Sequence, residues 1–410
     1  MSIKKQRLKV LLYGNFFGAY RSQNLVKYLL DEGYRTTIIS PEFYYERGEK
    51  KTLIAKLFRI LFSGYYFIEL FIKASLADVI YLLPLNSNLI QPVILASRIF
   101  RTKLIVEMYI SSYDTTIREK QEFPIDSPTA QRIRKNDILA LSEADYIIHL
   151  SRHELRYWES ILDIQIDDSK VWVAPLFCET TLKQMCQSSL EQEQCLRICW
   201  WGTMLPSHGI DTILEALQRL KDAGHSFTCQ LFGAPAKGKE DLIQVYKAEI
   251  QTRKLSDVVY LRQDLTFRDG SLPSYLVQNC DLALGMFGST EKAHAAVPNK
   301  IVEALTLGIP VLNMSTPALS EFFDPGKDLW TCPATPEGIA DALGKIAAGS
   351  AYPVDWPQTR ELVLKTFSLE TYQTTVNTVL SHAAKSFTSR TSNIALKEHE
   401  MLSSGEAPSS

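Results

Sequence analysis

The stretch "LRICWWGTMLPSHGIDTILEALQRLKDAG", residues 196–224, decides the fold. It begins with a run of large apolar residues, which is typical of a strand buried on both faces, and this run ends at Gly202. The helical stretch that follows places five apolar residues on one face, namely Ile210, Ile213, Leu214, Leu217 and Leu220. A buried strand, a glycine-bearing loop and a one-sided helix form the repeating unit of a parallel, doubly wound sheet.

The same alternation of strand and helix continues on both sides of this stretch. Downstream, strand patterns occupy 227–233, 258–262, 281–288 and 309–313, and helical patterns occupy 239–255, 272–279 and 300–308. Upstream, strand patterns occupy 8–15, 35–41, 78–85, 103–110 and 146–151, with helices predicted over 22–33 and 132–145. A further helix is predicted to begin at Ser151, which is spaced from Glu154 as in a capping box. The sequence therefore predicts an α/β protein with two Rossmann-like, doubly wound parallel sheets.

The chain length indicates more than one domain, because 410 residues exceed what one hydrophobic core usually supports. The polar segment "CQSSLEQEQ", 186–194, is short of core residues and marks the boundary. We expect residues 1–185 to form an N-terminal Rossmann-like domain and residues 186–365 to form a second one. The Ser-rich tail, 386–410, has few large apolar residues and is expected to be disordered.

Composition narrows the class of protein and its compartment. The chain is 46% hydrophobic and 22% charged with a net charge of -2, so it lacks the excess of Lys and Arg that nucleic-acid binding requires. The first residues, "MSIKKQRLKVLLYG", have a short apolar run leading into a glycine turn, which indicates a buried strand and not a signal peptide. Seven cysteines without a CxxC pair favour a reducing compartment, and we expect a cytoplasmic protein.

The most apolar segment, residues 53–85, allows two interpretations. Lys56, Arg59, Glu69 and Lys73 interrupt it, so it contains no uncharged span long enough to cross a bilayer. It could form a pair of core-facing helices that lead into the next strand. Alternatively, residues 50–75 could form a surface helix whose aromatic and basic side chains lie in a membrane interface, giving peripheral membrane association.

A candidate ligand site lies in "AVPNKIVEALTLGIPVLN", residues 296–313, where polar residues gather at the start of a helix. Lys300 adds a full charge to the positive end of the helix dipole and can neutralise a diphosphate. Glu303 is an acceptor only, which suits two neighbouring hydroxyls such as those of a ribose. Together with Asn299, this pattern is typical of a nucleoside diphosphate site. The alternative is an exposed Lys–Glu pair contributing about 0.2–0.5 kcal/mol.

Two motifs together resemble a known family. "GTMLPSHGIDTILEA" from Gly202 and "LGMFGSTEKAHAAVPNKIVEALTLGIPVLN" from Leu284 are similar to the donor-binding domain of family 4 glycosyltransferases with the GT-B fold, over roughly residues 190–350. The resemblance implies two Rossmann-like domains facing a cleft, with a nucleotide-sugar bound mainly by the second domain. It further implies sugar transfer that is retaining and requires no metal, and a final helix, 366–385, that returns to the first domain.

The resemblance also implies roles for individual residues. Gly202, Thr203 and Lys300 would line the diphosphate, and Glu303 would bind the ribose. Thr203 and His208 occupy positions where many members of the family have Arg and Lys, and Ala295 occupies the position of a frequent glutamate. The positive charge for the diphosphate would therefore come from Lys292 and Lys300. The complete candidate donor set is Gly202, Thr203, His208, Thr290, Lys292, Asn299, Lys300 and Glu303.

The first domain is then expected to hold the acceptor. Gly14, Gly18 and Arg21 belong to a glycine-bearing loop and helix start after the first strand. Glu107 and Asp114 follow another strand, and either carboxylate could orient or deprotonate an acceptor hydroxyl. With Lys300, which would assist departure of the leaving group, these two carboxylates complete the candidate catalytic set.

The leading hypothesis is a glycosyltransferase that uses a UDP-, GDP- or ADP-sugar and a glycan or lipid-linked hydroxyl acceptor, in polysaccharide or glycolipid assembly. The alternatives are a GT-B epimerase, which would act on the nucleotide-sugar alone, and a catalytically degenerate nucleotide-sugar-binding module. No cofactor besides the donor is expected. No metal site is expected either, because His149 lies in a predicted strand and His153 in the following helix, so they share no helical face. The oligomeric state stays open.

Overall fold

The structure is a computed structural model that describes residues 8–16, 19–41, 53–178, 195–236, 238–267 and 269–385, with backbone only for 53–60. Three predictions lie outside the described residues. They concern Gly18, the domain boundary between residues 185 and 186, and the tail 386–410.

The first domain is built on a six-stranded parallel sheet. Its strands are β1 (Lys9–Tyr13), β2 (Arg35–Ile39), β3 (Val79–Leu82), β4 (Lys103–Glu107), β5 (Tyr146–His149) and β6 (Val171–Val173), in the order β2-β1-β3-β4-β5-β6. Its helices are α1 (Tyr20–Asp31), α2 (Leu53–Ala74), α3 (Ile90–Phe100), α4 (Pro128–Glu143) and α5 (Arg152–Leu162). Ser151 caps α5 by accepting a hydrogen bond from the Glu154 backbone N–H, as its spacing predicts.

The second domain repeats this design. Its strands are β7 (Leu196–Met204), β8 (Phe227–Pro235), β9 (Val259–Arg262), β10 (Leu282–Leu284), β11 (Val311–Met314) and β12 (Trp330–Cys332), all parallel and in the order β12-β11-β10-β7-β8-β9. Its helices are α6 (Ile210–Asp222), α7 (Leu242–Thr252), α8 (Ser271–Asn279), α9 (Glu291–Ala295), α10 (Asn299–Thr306), α11 (Pro336–Ala347) and α12 (Trp356–Thr366). The prediction of two doubly wound parallel sheets is confirmed.

The last described helix, α13 (369–385), packs against the first domain and not the second. Tyr372, Val376 and Leu380 join the core that covers one face of the first sheet, beside residues of β1 and α1. Their burial explains why this segment is helical, since the three lie at the i, i+4, i+8 spacing of one helix face. The chain thereby crosses from the second domain back to the first.

Residues 53–85 do not form a pair of core-facing helices. They contain a single helix, α2, followed by β3. Leu70 and Ala74 face the core, but Leu61, Tyr65 and other apolar residues of the same helix are exposed. The helix is therefore one-sided, with an apolar face left on the surface. Among the described helices none is both long and apolar enough to span a bilayer.

Candidate active site

The candidate donor residues follow two neighbouring strands, β7 and β10, at their carboxyl ends. The strand order of the second sheet reverses between these two strands, because β8 lies on the far side of β7 while β11 lies on the far side of β10. Ligands of open parallel sheets bind at such a reversal. The first motif begins in the last residues of β7 and continues into the loop 205–209, and α9 and α10 follow β10, so both predicted motifs reach the same crevice.

Glycines bring these two loops together. Gly202 has a φ of 142°, and a Cβ placed there would lie 3.3 Å from the His208 ring and 3.5 Å from the Lys300 Nζ. Gly209 has a φ of 67°, and a Cβ there would come within 2.4 Å of the Phe287 carbonyl carbon. The backbone conformation favours glycine at both positions, and at Gly209 the space excludes any side chain as well. At Gly202 the glycine leaves the backbone open to close approach beside a lysine.

Lys300 is the central group of the site. Its side chain is in the first turn of α10 and the residue is only 5% exposed. Its Nζ lies 4.0 Å from the centroid of the Trp200 ring and finds no hydrogen-bond acceptor among the described residues. Burial lowers the pKa of Lys300 well below its ordinary value, and the charge of Glu303 offsets this only in part. A buried ammonium group without an acceptor is costly, and an anion would supply what it lacks.

His208 is a neutral partner of this lysine. Its Nδ1 donates a hydrogen bond to the Thr203 carbonyl oxygen, since a carbonyl can only accept. Burial and the nearby charge of Lys300 lower the pKa of His208 to about 3, so the ring carries no charge at neutral pH. Lys300 is then the cation that this loop presents to a ligand.

Glu303 lies one turn after Lys300 and is fixed by a tryptophan. Its Oε2 accepts a hydrogen bond of 2.7 Å from the Trp201 Nε1. Burial raises the pKa of Glu303, while this hydrogen bond and the charge of Lys300 act against the rise. Trp200 fills the core of the second domain, whereas the bond from Trp201 to Glu303 had no sequence signal. Asn299, the first residue of α10, is exposed.

Lys292 lies at the interface between the two domains and borders a cavity there. Its Nζ forms ion pairs with two carboxylates of the first domain, Asp114 at 3.0 Å and Glu119 at 2.7 Å. Burial alone would lower the pKa of Lys292, but these carboxylates raise it above its usual value. Thr290 caps α9 by accepting a hydrogen bond from the Ala293 N–H. The prediction that Lys292 contributes to the phosphate site therefore does not match its observed pairing, because its charge is already neutralised.

Two predicted first-domain residues, Arg21 and Glu107, form a closed network in the core. Both side chains are 0% exposed, and the Arg21 Nε lies 2.6 Å from the Glu107 Oε1. The other carboxylate oxygen accepts hydrogen bonds from the hydroxyls of Tyr81, at 2.6 Å, and Tyr372, at 2.9 Å. Glu107 thus has no exposed oxygen for an acceptor hydroxyl, and Arg21 holds α1 to the rest of the domain. Their assignment to catalysis and acceptor binding does not fit this burial.

The two remaining predicted first-domain residues that the structure describes, Gly14 and Asp114, lie in different surroundings. Gly14 has a φ of 133°, and a Cβ there would come within 2.7 Å of the Asn86 side chain, so the glycine makes room for Asn86. Asp114 is buried, accepts a hydrogen bond of 2.7 Å from the Tyr157 hydroxyl and pairs with Lys292. It borders a cavity of about 660 Å³ that both domains line. Among the predicted first-domain residues that the structure describes, Asp114 is the one that forms an ion pair with the second domain.

The second domain matches a known family. Residues 195–348 match the family described as glycosyl transferases group 1. No protein of curated function matches the sequence. The resemblance to glycosyltransferases is thereby confirmed at the level of group 1, and the narrower assignment to family 4 stays a prediction.

Solved structures match the whole fold. HepE of Anabaena in complex with UDP and glucose is similar to this chain, with a TM-score of 0.61 and 15% identity over 92% of this chain and 100% of that chain. The lipopolysaccharide outer core galactosyltransferase WaaB is also similar, with a TM-score of 0.59 and 13% identity over 92% of this chain and 99% of that chain. Sucrose-phosphate synthase from Thermosynechococcus elongatus is also similar (TM-score 0.59, 15% identity, 92% and 99%). At these identities the likeness establishes the GT-B fold alone.

The fold and the matched domain together define the class of protein. Two parallel doubly wound sheets are arranged as in GT-B enzymes, and the second contains a group 1 glycosyl transferase domain. The protein is a glycosyltransferase of the GT-B class.

Proposed function

We propose that this glycosyltransferase moves a sugar from a nucleoside diphosphate to a hydroxyl group, and that Lys300 binds the diphosphate. The observation that carries the proposal is the buried Lys300 ammonium without an acceptor, beside the open backbone of Gly202. A diphosphate placed there would satisfy the lysine and lie near the start of α10, where the helix dipole favours an anion.

In the reaction, the bond between the anomeric carbon and the β-phosphate oxygen breaks, and a bond forms between that carbon and the acceptor oxygen. The electron pair of the broken bond stays on the nucleoside diphosphate, where Lys300 stabilises the developing charge. The acceptor proton leaves with the released diphosphate or to a base. Because Lys300 supplies the charge, we propose that transfer needs no divalent cation. Retention of configuration is proposed from the resemblance alone.

Glu303 is proposed to bind the ribose. The Trp201 hydrogen bond fixes one of its oxygens and so orients the carboxylate, which can accept hydrogen bonds from two neighbouring hydroxyls. UDP is the first nucleotide to test, because the similar HepE structure contains UDP, with GDP and ADP as the alternatives.

We further propose that the acceptor is a glycan or lipid-linked molecule and that the enzyme works on the cytoplasmic face of a membrane. The support is an exposed apolar stripe on α2 and the turn after it, in which each member is more than half exposed; its members are Leu61, Tyr65, Ile68 and Ile72 of α2 and Leu76 just after the helix. These residues follow helical spacing and form one face. Leu95 and Ile99 of the neighbouring α3 are exposed as well, and α2 and α3 are joined by the contact of Phe71 with Phe100.

Basic residues accompany this apolar surface. Lys73 lies on α2, and Arg98 and Arg101 lie on or after α3, all of them exposed. An apolar helix face with flanking cations is the composition of helices that lie in the interface of an anionic membrane. The region expected from the sequence, 50–75, is thus extended here by α3.

The donor proposal is tested by isothermal calorimetry with UDP, GDP and ADP. Wild type should bind one of the three nucleotides. Lys300→Met should weaken that binding by roughly 100-fold, which is the upper range for loss of a charged hydrogen bond. Glu303→Ala should weaken it by roughly tenfold. Lys327→Met, which removes an exposed lysine of the same domain, is the matched control and should bind as wild type does.

The outcomes separate the alternatives. Binding with no sugar transfer to any acceptor tried would favour a degenerate binding module, and conversion of a donor to an epimeric sugar without acceptor would favour an epimerase. Equal binding by wild type and Lys300→Met would contradict the proposed diphosphate site. Undiminished transfer in EDTA is the result expected for a metal-independent enzyme.

The membrane proposal is tested by co-sedimentation with phosphatidylglycerol vesicles. Wild type should bind and should be released by salt, whereas Ile68→Ser with Ile72→Ser should bind several-fold less. Val245→Ser, an exposed apolar residue of the second domain, is the control and should change nothing. Binding that is absent, or unaffected by both salt and the paired substitution, would count against the surface.

A further inference from the structure

One carboxylate of the first domain reaches both loops of the donor site. Glu119 ends the helical segment Tyr113–Glu119, and its side chain is only 5% exposed. Its Oε1 accepts a hydrogen bond from the Ser207 hydroxyl, in the loop after β7. Its Oε2 lies 2.7 Å from the Lys292 Nζ, on α9 after β10. No motif in the sequence singles this residue out.

The two loops that Glu119 contacts are already joined to each other next to the site. The Phe287 N–H donates to the His208 carbonyl oxygen, and the Gly288 N–H donates to the Ser207 carbonyl oxygen, both at 3.2 Å. Ser207 is buried and directly precedes His208, whose ring lies beside Gly202 on the side where the Lys300 Nζ also lies. A shift at Ser207 would therefore move the wall of the diphosphate site.

We infer that Glu119 is a positioning residue, which holds the loops after β7 and β10 in the arrangement that binds the donor diphosphate. This inference rests on the proposed function and deepens it. Glu119 does not touch the expected diphosphate position, and it acts through Ser207 and Lys292. The first domain would thereby set the donor affinity of the second. The physical reason is preorganisation, since a loop already fixed in its binding geometry loses less freedom when the ligand binds.

A second interdomain carboxylate provides a matched comparison. Glu321, in the second domain, accepts hydrogen bonds from the backbone N–H groups of Arg152 and His153, at 2.8 and 3.0 Å. It joins the two domains at the start of α5, but it contacts neither Ser207 nor Lys292 among the bonds of the described residues. Removing it tests interdomain contact in general, and removing Glu119 tests the donor loops in particular.

The experiment is calorimetric binding of the nucleotide that wild type prefers, on Glu119→Ala, Glu119→Gln and Glu321→Gln. Glu119→Ala removes both contacts and should raise the Kd about tenfold. Glu119→Gln keeps an oxygen for Ser207 but removes the charge facing Lys292, so its Kd should rise by a smaller factor. Glu321→Gln should stay within about twofold of wild type. Thermal unfolding of each variant verifies that it is folded.

A double-mutant cycle separates positioning from general weakening. If Glu119 acts through Ser207, the combination of Glu119→Ala with Ser207→Ala should raise the Kd less than the product of the two single effects. An unchanged Kd in Glu119→Ala, or an equal rise in Glu321→Gln, would overturn the inference. If wild type binds none of the nucleotides, the proposed function fails and the inference falls with it, whereas normal binding by wild type and Glu119→Ala alike refutes the inference alone.

Discussion

The two domains contain buried cations that serve opposite purposes. In the first domain, Arg21 is fully buried and meets the Glu107 carboxylate and the carbonyl oxygens of Ala174 and Pro175. In the second domain, Lys300 is almost as buried and lies over the face of Trp200, without a hydrogen-bond acceptor among the described residues. Burial is therefore shared by a cation that holds a fold together and by one that we propose binds the donor diphosphate. The difference is whether acceptors within the protein satisfy the charge.

The titration behaviour follows this difference. Burial alone would lower the pKa of Arg21, but the charge of Glu107 raises it above its usual value. Burial lowers the pKa of Lys300, and the nearby Glu303 does not compensate. Domains of the same design thus contain one buried cation that stabilises the native state and another that, as we propose, binds an anion at some cost in stability.

The largest expected effect comes from removing Arg21. Arg21→Met leaves the Glu107 carboxylate buried without its cation, so the free energy of unfolding should fall by about 3–5 kcal/mol. Thermal and urea unfolding measure this loss. Arg98→Met, which removes an exposed ion pair with Glu143, is the control and should cost at most about 1 kcal/mol. If Arg21→Met is as stable as wild type but loses nucleotide binding, Arg21 belongs to the active site after all.

Removing Lys300 should have the opposite sign in the ligand-free protein. Lys300→Met replaces an unsatisfied buried ammonium with an apolar side chain of similar length, and we expect a gain of about 1–3 kcal/mol. For a domain of this size the unfolding temperature would rise by roughly 2–4 °C per kcal/mol. Differential scanning calorimetry without nucleotide measures the change. A clear loss of stability would show that Lys300 holds the fold, as Arg21 does.

The fold was predictable because buried parallel strands leave a local signal. The runs that became β1, β3 and β7 are apolar on both faces, and each ends near a glycine or a proline that begins a turn. The grouping of Gly202, Lys300 and Glu303 was also predictable, since strand order sends their loops to one edge of the sheet. Residues 53–85 were harder to interpret, because an apolar helix face has the same periodicity whether it meets a core or a membrane.

The contacts that corrected the site have no local signal. Glu107 ends β4 and Arg21 lies in the helix after β1, which are places where site residues of such sheets occur, and only the fold shows the two facing each other with Tyr372 closing the network. Its sequence position makes Lys292 a candidate phosphate ligand, but in the fold the carboxylates of Asp114 and Glu119, from the other domain, form ion pairs with it. Pairings between distant segments depend on how the helices and strands pack and on how the two domains meet. Periodicity and spacing in the sequence do not encode either.

The smallest and most specific effect is a proton taken up on binding. A diphosphate beside Lys300 would raise its lowered pKa, so above the pKa of the free protein binding must protonate the lysine. Affinity should then fall as pH rises through that pKa, by at most about tenfold per pH unit. His208 does not contribute near neutral pH, because its pKa of about 3 keeps it neutral throughout.

Calorimetry of the same nucleotide in phosphate and Tris buffers, between about pH 7.5 and 9, counts the protons, since the two buffers differ in ionisation enthalpy. The pH range lies above the second phosphate pKa, near 6, so the nucleotide itself contributes little. Glu303→Gln is the informative variant. Loss of its charge removes a group that favours protonated Lys300, so the uptake should persist or grow even though affinity falls. Proton release, or no exchange in wild type, would contradict the proposed protonation of Lys300 on binding.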